Sequence, residues 1–395
     1  MKRFILLFVL CLLLGISSSV AQKKVPDRFR VYSMTRNRTN IVLPQQVNGY
    51  NIYQADFHCH TIYSDGEITP RQRIDEAWQN GLDIIAITDH LEARKYERNM
   101  LKALRKYSPD EKGYEYLWAG KCGRIMTDFN ATFAEAEKAA KKYPDLLYIR
   151  GVEISRTMST GSDYNALFVK DVESIYDEDP YKCLRNARAQ GCFIIHNHPA
   201  IRRSTCTPTE FESSAMAQGL FDGIEIVNGN TFYPPIVRRA KENNLCMIAA
   251  TDLHTPAGTL YTDINIFRTM TFVFAKENTE EAVHEALRAH RTLGYCGGHI
   301  FGDEQLLKDF FAASVRCRVI HTAASGARTI QITNCTSLPF TLRRGKAIID
   351  IPPFNSVTVG IGVDEDGKPK EPKFRVENMR HIDNKKLNVV LNIEK

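Results

Sequence analysis

The chain has 395 residues, 43% hydrophobic and 25% charged, and a formal charge of +6 that loses two units if Lys2 and Arg3 are removed with a leader. Its basic residues are scattered among acidic ones rather than gathered into a stripe, which argues against a nucleic-acid-binding protein. The composition is ordinary, with no low-complexity stretch or detectable repeat, so fibrous and disordered classes are excluded.

Residues 1–21 read as a cleavable secretory signal: Lys2 and Arg3, an apolar run over 4–14, then the small residues Ser19-Val20-Ala21. The run is shorter than the roughly 20 apolar residues that a membrane anchor needs. Cys11 lies inside it, not after the small residues where a lipoprotein anchor would need a cysteine. The expectation is an exported protein, periplasmic or extracellular, with no integral membrane segment after cleavage. The nine cysteines left of ten are irregularly spaced and include no CxxC pair, which suits neither a disulfide framework nor a structural zinc site.

Residues 22–50 read as an extended lead-in. Short apolar runs at 51–57, 83–87, 146–152, 165–169, 192–195, 223–227, 245–250 and 271–274 predict strands. Helical stretches fall between them at 70–80, 131–142, 181–190, 235–243 and 279–290. Pro70 and Pro235 suit a first helical turn, and Gly81 and Gly191 suit C-terminal caps. Repeated strand–helix alternation predicts an α/β fold of parallel units over 51–311, compatible with a closed barrel or an open sheet. From 312 to 395 the pattern changes. Strands at 319–332, 340–351, 357–363 and 387–393, with no helix between them, predict a small C-terminal antiparallel β domain.

Six of the eleven histidines fall in four short clusters: His58-Cys59-His60, Thr88-Asp89-His90, His196-Asn197-His198-Pro199 and Thr251-Asp252-Leu253-His254. Each follows directly on an apolar run, and Glu153 ends another. Side chains at the C-terminal ends of strands in β/α folds converge on one mouth, so these clusters predict a single site. Strand alternation puts His58 and His60 on one side and Cys59 on the other. Asp252 and His254 repeat that spacing, and Asp65 supplies a carboxylate at loop distance. Imidazole and carboxylate donors without thiolate suit Zn²⁺, Mn²⁺ or Fe²⁺.

The ordered set HxH, SDG, TDH, GVE, NHP and TDxH, from about residue 52 to 255, resembles the PHP family, named for polymerase and histidinol phosphatase members. The strings GIEIVNG and FAKENTEEAVHEALRAHRTLGY resemble its secreted, phosphodiesterase-like branch. The resemblance implies a distorted seven-stranded βα barrel with two or three divalent metals. Carried over, His58, His60, Glu153 and Asp252 would hold one ion; Glu153 and His198 a second; Asp65, His90 and His254 a third. His198 fits rather than His196 because Pro199 follows it. Where relatives place histidine in a GHxNA-like string, this chain has Asp163, which implies a shift toward harder ions at the second position.

The implied reaction is attack of a metal-activated water on a small phosphorylated substrate, a phosphate mono- or diester. Arg156 and Arg202 (or Arg203) stand where a phosphate clamp is expected. Asp89 is expected to orient a ligand or accept a proton, and Glu92 stands as a lesser candidate for the same work. Two other readings compete: hydrolysis of an amide or lactone by the same metals, and a non-catalytic exported metal-binding protein. A proofreading nuclease is disfavoured by export and by the missing basic stripe.

Overall fold

An apolar run, a polar loop and an amphipathic stretch recur through most of the chain, and each recurrence becomes a strand and a helix. The structure, a computed structural model, describes residues 37–92, 116–119, 122–125, 129–262 and 266–394. The expected signal segment lies outside these residues. In chain order come β1 (Asn51–Asp56), α1 (Pro70–Gln79), β2 (Ile84–Ile87), the antiparallel pair β3 (Tyr116–Ala119) and β4 (Cys122–Ile125), α2 (Phe129–Ala140) and β5 (Leu147–Ser155). A single turn α3 (Thr157–Thr160) leads to β6 (Asp163–Leu167), α4 (Pro180–Ala189), β7 (Phe193–His196), α5 (Glu210–Ala217), β8 (Gly223–Asn228), β9 (Thr231–Phe232), α6 (Pro234–Glu242) and β10 (Cys246–Ala250). Then follow β11 (Met270–Ala275), α7 (Glu280–Arg288), β12 (Thr292–Cys296), β13 (His299–Gly302) and α8 (Glu304–Ser314).

Local chemistry sets the helix ends. The Thr69 hydroxyl accepts from the Gln72 backbone N–H at 3.3 Å while the Gln72 side chain accepts from the Thr69 N–H at 2.9 Å. This reciprocal cap, with Pro70 at the first turn, starts α1. Thr209 and Glu212 repeat it on α5, which the sequence reading missed because its apolar stripe is weak. At Gly81 the chain turns with φ +87°, and an added Cβ would lie 2.7 Å from the Thr39 carbonyl oxygen, so only glycine ends α1 this way.

Seven strands lie side by side in the order β10-β8-β7-β6-β5-β2-β1. The pairs β1–β2, β2–β5, β7–β8 and β8–β10 are parallel. The expected uniform parallel arrangement is corrected at β6, which runs antiparallel to both neighbours. The seven residues between β5 and β6 return the chain beside itself, too short a link for a helical crossover. The run curls on itself. Just beyond its outer strands Cys59 and Leu253 form a parallel bridge, and the Thr271 and Thr292 hydroxyls each donate at 2.7 Å to the Ala249 and Met247 carbonyls. Among the described residues no further ladder closes the curl into a complete barrel. Phe57, Ile84, Ile195 and Ile248 fill it and are wholly buried, each such side chain contributing about 1.5–3 kcal/mol.

In the tail, β14 (Val315–Thr322), β15 (Arg328–Asn334) and β18 (Ser356–Ile361) form an antiparallel sheet of their own. The strands β16 (Phe340–Arg344), β17 (Ala347–Ile351), β19 (Lys373–His381) and β20 (Lys385–Val390) instead join the large sheet through a parallel pairing of β19 with β13. The runs expected as single strands at 319–332 and 340–351 are each two strands turned at Gly326 (φ +84°) and Gly345 (φ +59°). The composition change expected at 312 falls inside α8, which passes directly into β14. No helix among the described residues is long and apolar enough to cross a membrane.

Candidate metal centre

The strand ends carry the chemistry. Beyond β1 the chain stays extended, so Cys59 turns into the core, where its thiol donates to the Ala86 carbonyl at 3.1 Å, while His58 and His60 turn the other way. Asp56, wholly buried, pins this end to that of β10: it accepts from the backbone N–H groups of His58 (3.3 Å) and Thr251 (3.1 Å), from the Thr251 hydroxyl and from the Arg268 guanidinium. Asp252 and His198 hold left-handed backbones, φ 54° and 24°, rare outside glycine. Their N–H groups are claimed by the His58 carbonyl (2.9 Å) and the Glu225 carboxylate (2.6 Å). Such strain is retained where the surrounding structure demands it.

Four overlapping groups of donors result, each with its ligand atoms within 4.8 Å of one another: His60, Asp65, His90 and His254; His58, His198 and Asp252; His58, His60 and Glu153; Glu153, Asp163 and His198. All nine residues singled out as donor candidates in the sequence therefore meet at one place. The centre is deepest at His58, His60 and Glu153, which are fully buried, and opens toward solvent at His254 and Asp65, whose side chains are 35% and 29% exposed.

These side chains fit divalent cations. The Nε2 atoms of His58 and His60 face each other at 3.1 Å, and both face Asp252 Oδ1, at 3.2 and 3.1 Å. Two ring nitrogens and a carboxylate oxygen in that arrangement suit a shared cation. Glu153 Oε2 is buried without a hydrogen-bond partner, although His90 Nδ1 lies 2.7 Å away. The electrostatics of the site agree. Burial raises the carboxyl pKa of Glu153, but His90, His58 and His198 outweigh it and hold the group well below the usual range. Burial opposes ionisation of Asp252 and Asp65 likewise, and the surrounding imidazoles overcome it. On the other side, burial lowers His58 while Asp252, Glu225 and Glu153 raise it well above its ordinary value; His198 rises to about 9. His60 is pushed down to about 4 by burial and by His90. The carboxylates that raise these imidazoles would equally favour divalent cations among the same donors.

Supporting contacts orient the donors. Glu225, wholly buried on β8, accepts from His58 Nδ1 at 2.8 Å and from Asn228 Nδ2 at 2.9 Å. A carboxylate behind a ligating imidazole fixes its tautomer and raises its basicity. Sequence reasoning missed Glu225, and the available signal was an acid within the apolar string GIEIV. Asn197 donates to Glu153 Oε1 at 2.7 Å, and Arg73 holds the His60 and Leu253 carbonyls at 2.8 and 3.1 Å. Asp89 accepts from the Thr61 N–H and hydroxyl, both at 2.6 Å, and from Ser64 at 2.7 Å. It therefore shapes the loop that carries Asp65, and its oxygens are engaged in that task rather than free for proton transfer. His196 turns away, stacked on Tyr164 and 3.4 Å from Glu212.

The expected clamp by Arg156 is corrected. Its guanidinium faces Glu92 at 3.1 Å, the Asp177 carbonyl and Cys183 Sγ at 3.0 Å, and only its backbone N–H reaches the centre, donating to Asp163 Oδ1. Glu92, whose other oxygen accepts from Ser155 N at 2.7 Å, braces the same segment. Arg203 is engaged with Glu212 at 2.6 Å and with the Pro199 carbonyl. Arg202 is exposed on the loop that follows His198.

The SDG glycine has a steric reason. A Cβ on Gly66 would lie 2.6 Å from the His60 carbonyl carbon and from Thr61 N, both backbone atoms that cannot give way. Gly66→Ala is expected to push Asp65 out of its group and lower ion content while the core holds. Metal analysis with circular dichroism checks this, and full ion content would refute it.

Residues 56–186 match the PHP domain. Among solved structures, the chain is similar to a two-domain protein from Bacteroides vulgatus containing a predicted PHP-like metal-dependent phosphoesterase, with 29% identity, coverage of 90% of this chain and 99% of that one, and a TM-score of 0.78. Weaker likenesses are to a metal-dependent phosphoesterase candidate from Bifidobacterium adolescentis (15% identity, 51% and 88% coverage, TM-score 0.34) and to an amidohydrolase from Chromobacterium violaceum with bound sulfate (14%, 52% and 89%, 0.34). Neither of these two bears on activity. No curated protein matches the chain.

Proposed function

Starting from a chain that carries a PHP domain and shares its fold with a PHP-like metal-dependent phosphoesterase, we propose that it hydrolyses small phosphate esters, mono- or diesters, at a centre of two or three divalent ions. The observation that supports this most is the convergence of nine imidazole and carboxylate donors into four groups that share His58, His60, Glu153 and His198. His58, His60, Glu153 and His198, each shared between two groups, would hold the ions. Bound there, such ions supply the Lewis acidity that polarises a phosphoryl oxygen and acidifies water near neutral pH.

The chain's own residues do the rest. Glu153 belongs to two groups and ties their positions together, held by Asn197. Glu225 keeps His58 in the tautomer whose Nε2 faces inward. The open side at Asp65 and His254 would admit the ester, and Arg202, exposed on the loop after His198, is proposed to meet its phosphate. Secretion by the leader over 1–21 belongs to the same proposal, placing the substrate outside the cytoplasm.

Two measurements test the reading. Purified protein of known ion content is assayed with chromogenic phosphate mono- and diesters, an anilide and a lactone. Turnover of a phosphate ester, abolished by a chelator and restored by added ions, is expected; turnover of the anilide or lactone alone would replace the proposal. Arg202→Ala is expected to raise KM about tenfold, the size of one charge-assisted hydrogen bond, with ion content unchanged. An unaltered KM removes Arg202 from the site.

A further inference from the structure

The donor groups are not alike. His60, Asp65, His90 and His254 offer three imidazoles and one carboxylate; Glu153, Asp163 and His198 offer two carboxylates and one imidazole. Nitrogen-rich sets suit Zn²⁺, whereas carboxylate-rich sets suit harder ions such as Mn²⁺. Resting on the multi-ion reading above, we infer that this is a mixed-metal centre. The position between Glu153, Asp163 and His198 is the one that selects Mn²⁺ over Zn²⁺, and Asp163 is the residue that sets the selection.

Several features hold Asp163 to this role. Its backbone is tied on both sides, paired with Ser155 in the β5–β6 ladder and accepting from the Asn197 N–H at 2.9 Å. Its Oδ1 accepts from the Arg156 N–H, which directs Oδ2 toward His198 Nε2, 4.0 Å away. His198 Nε2 lies 3.4 Å from Glu153 Oε1, so both carboxylates face the same imidazole. Two carboxylates, one of them shared with the group of His58 and His60, offset more of a divalent charge than the single carboxylate of the imidazole-rich position does. An ion at the carboxylate-rich position is thus retained by charge more than by ligand softness. Zn²⁺ binds more tightly than Mn²⁺ at most sites in absolute terms, so the selection is a difference in Mn²⁺-to-Zn²⁺ ratio between positions of one protein.

The test uses full-length, metal-free protein equilibrated with an excess of Mn²⁺ over Zn²⁺ and freed of unbound ions. Ions are counted by mass spectrometry, and bound Mn²⁺ is read by electron paramagnetic resonance. Wild type is expected to hold Zn²⁺ together with Mn²⁺ at one position. Asp163→His and the near-isosteric Asp163→Asn should each lower the bound Mn²⁺-to-Zn²⁺ ratio about tenfold, and Asp163→His should keep the total ion count. A wild-type protein filled with Zn²⁺ alone overturns the inference and leaves the multi-ion reading standing. So does a ratio unchanged in both variants, which removes Asp163 as its cause. Binding of no ion at all overturns both.

Discussion

Asp252→Asn is expected to lose bound ion and about a thousandfold in turnover while the fold stays intact. The wild-type carboxylate sits between His58 Nε2 and His60 Nε2, at 3.2 and 3.1 Å, with its second oxygen 4.0 Å from His198. Converting it to an amide keeps the shape but deletes the negative charge that offsets a cation there. Metal activation contributes several kcal/mol to such reactions, and about 4 kcal/mol corresponds to a thousandfold in rate. Asparagine is the informative replacement because φ at this position is 54°, a conformation it tolerates and alanine resists. Ion counting and kcat on the same sample decide the matter. A full ion complement with normal turnover would remove Asp252 from the centre.

The second large effect concerns stability. Arg268 and Asp56 form an ion pair whose side chains are 1% and 0% exposed. Arg268→Met leaves the Asp56 charge buried with only hydroxyl and backbone N–H donors. Breaking a buried pair by removing one partner costs about 3–5 kcal/mol. Asp56 also secures the N–H groups of His58 and Thr251, so the same change should loosen the strand ends that carry His58 and Asp252. Adding Asp56→Asn to Arg268→Met should recover part of the loss, because the uncompensated charge disappears. Denaturant unfolding of the two variants measures it. A single variant within about 1 kcal/mol of wild type would show that the pair is not needed to hold these ends.

Much of the centre was legible in the linear chain because its signals are local. An apolar run followed by His-x-His or Asp-x-His states both the strand and the side on which the next residues emerge, as His58 and His60 opposite Cys59 illustrate. Glu225 was illegible for the opposite reason. Its meaning comes from His58, 167 residues away in sequence, and an acid in an apolar strand carries no mark of that partner. Arg156 misled because nearness to Glu153 in sequence says nothing about where a long side chain points; Glu92 and the Asp177 carbonyl drew it away.

What the sequence by itself determined, then, is the α/β alternation and the helix ends at Pro70 and Gly81, set by residue type and short-range periodicity, while the resemblance to a family completed the set of donors with Asp163 and with His198 in place of His196. Only the tertiary structure decided how the donors group, which strands run against the others, and where the tail strands attach. Each of those depends on pairing between distant segments. The short link after β5 already turns β6 back, but its pairing with β7 and the joining of β19 to β13 across a gap of many residues are tertiary. Backbone hydrogen bonding accepts either strand direction, so where no short link fixes it the choice lies with the packing of the whole sheet.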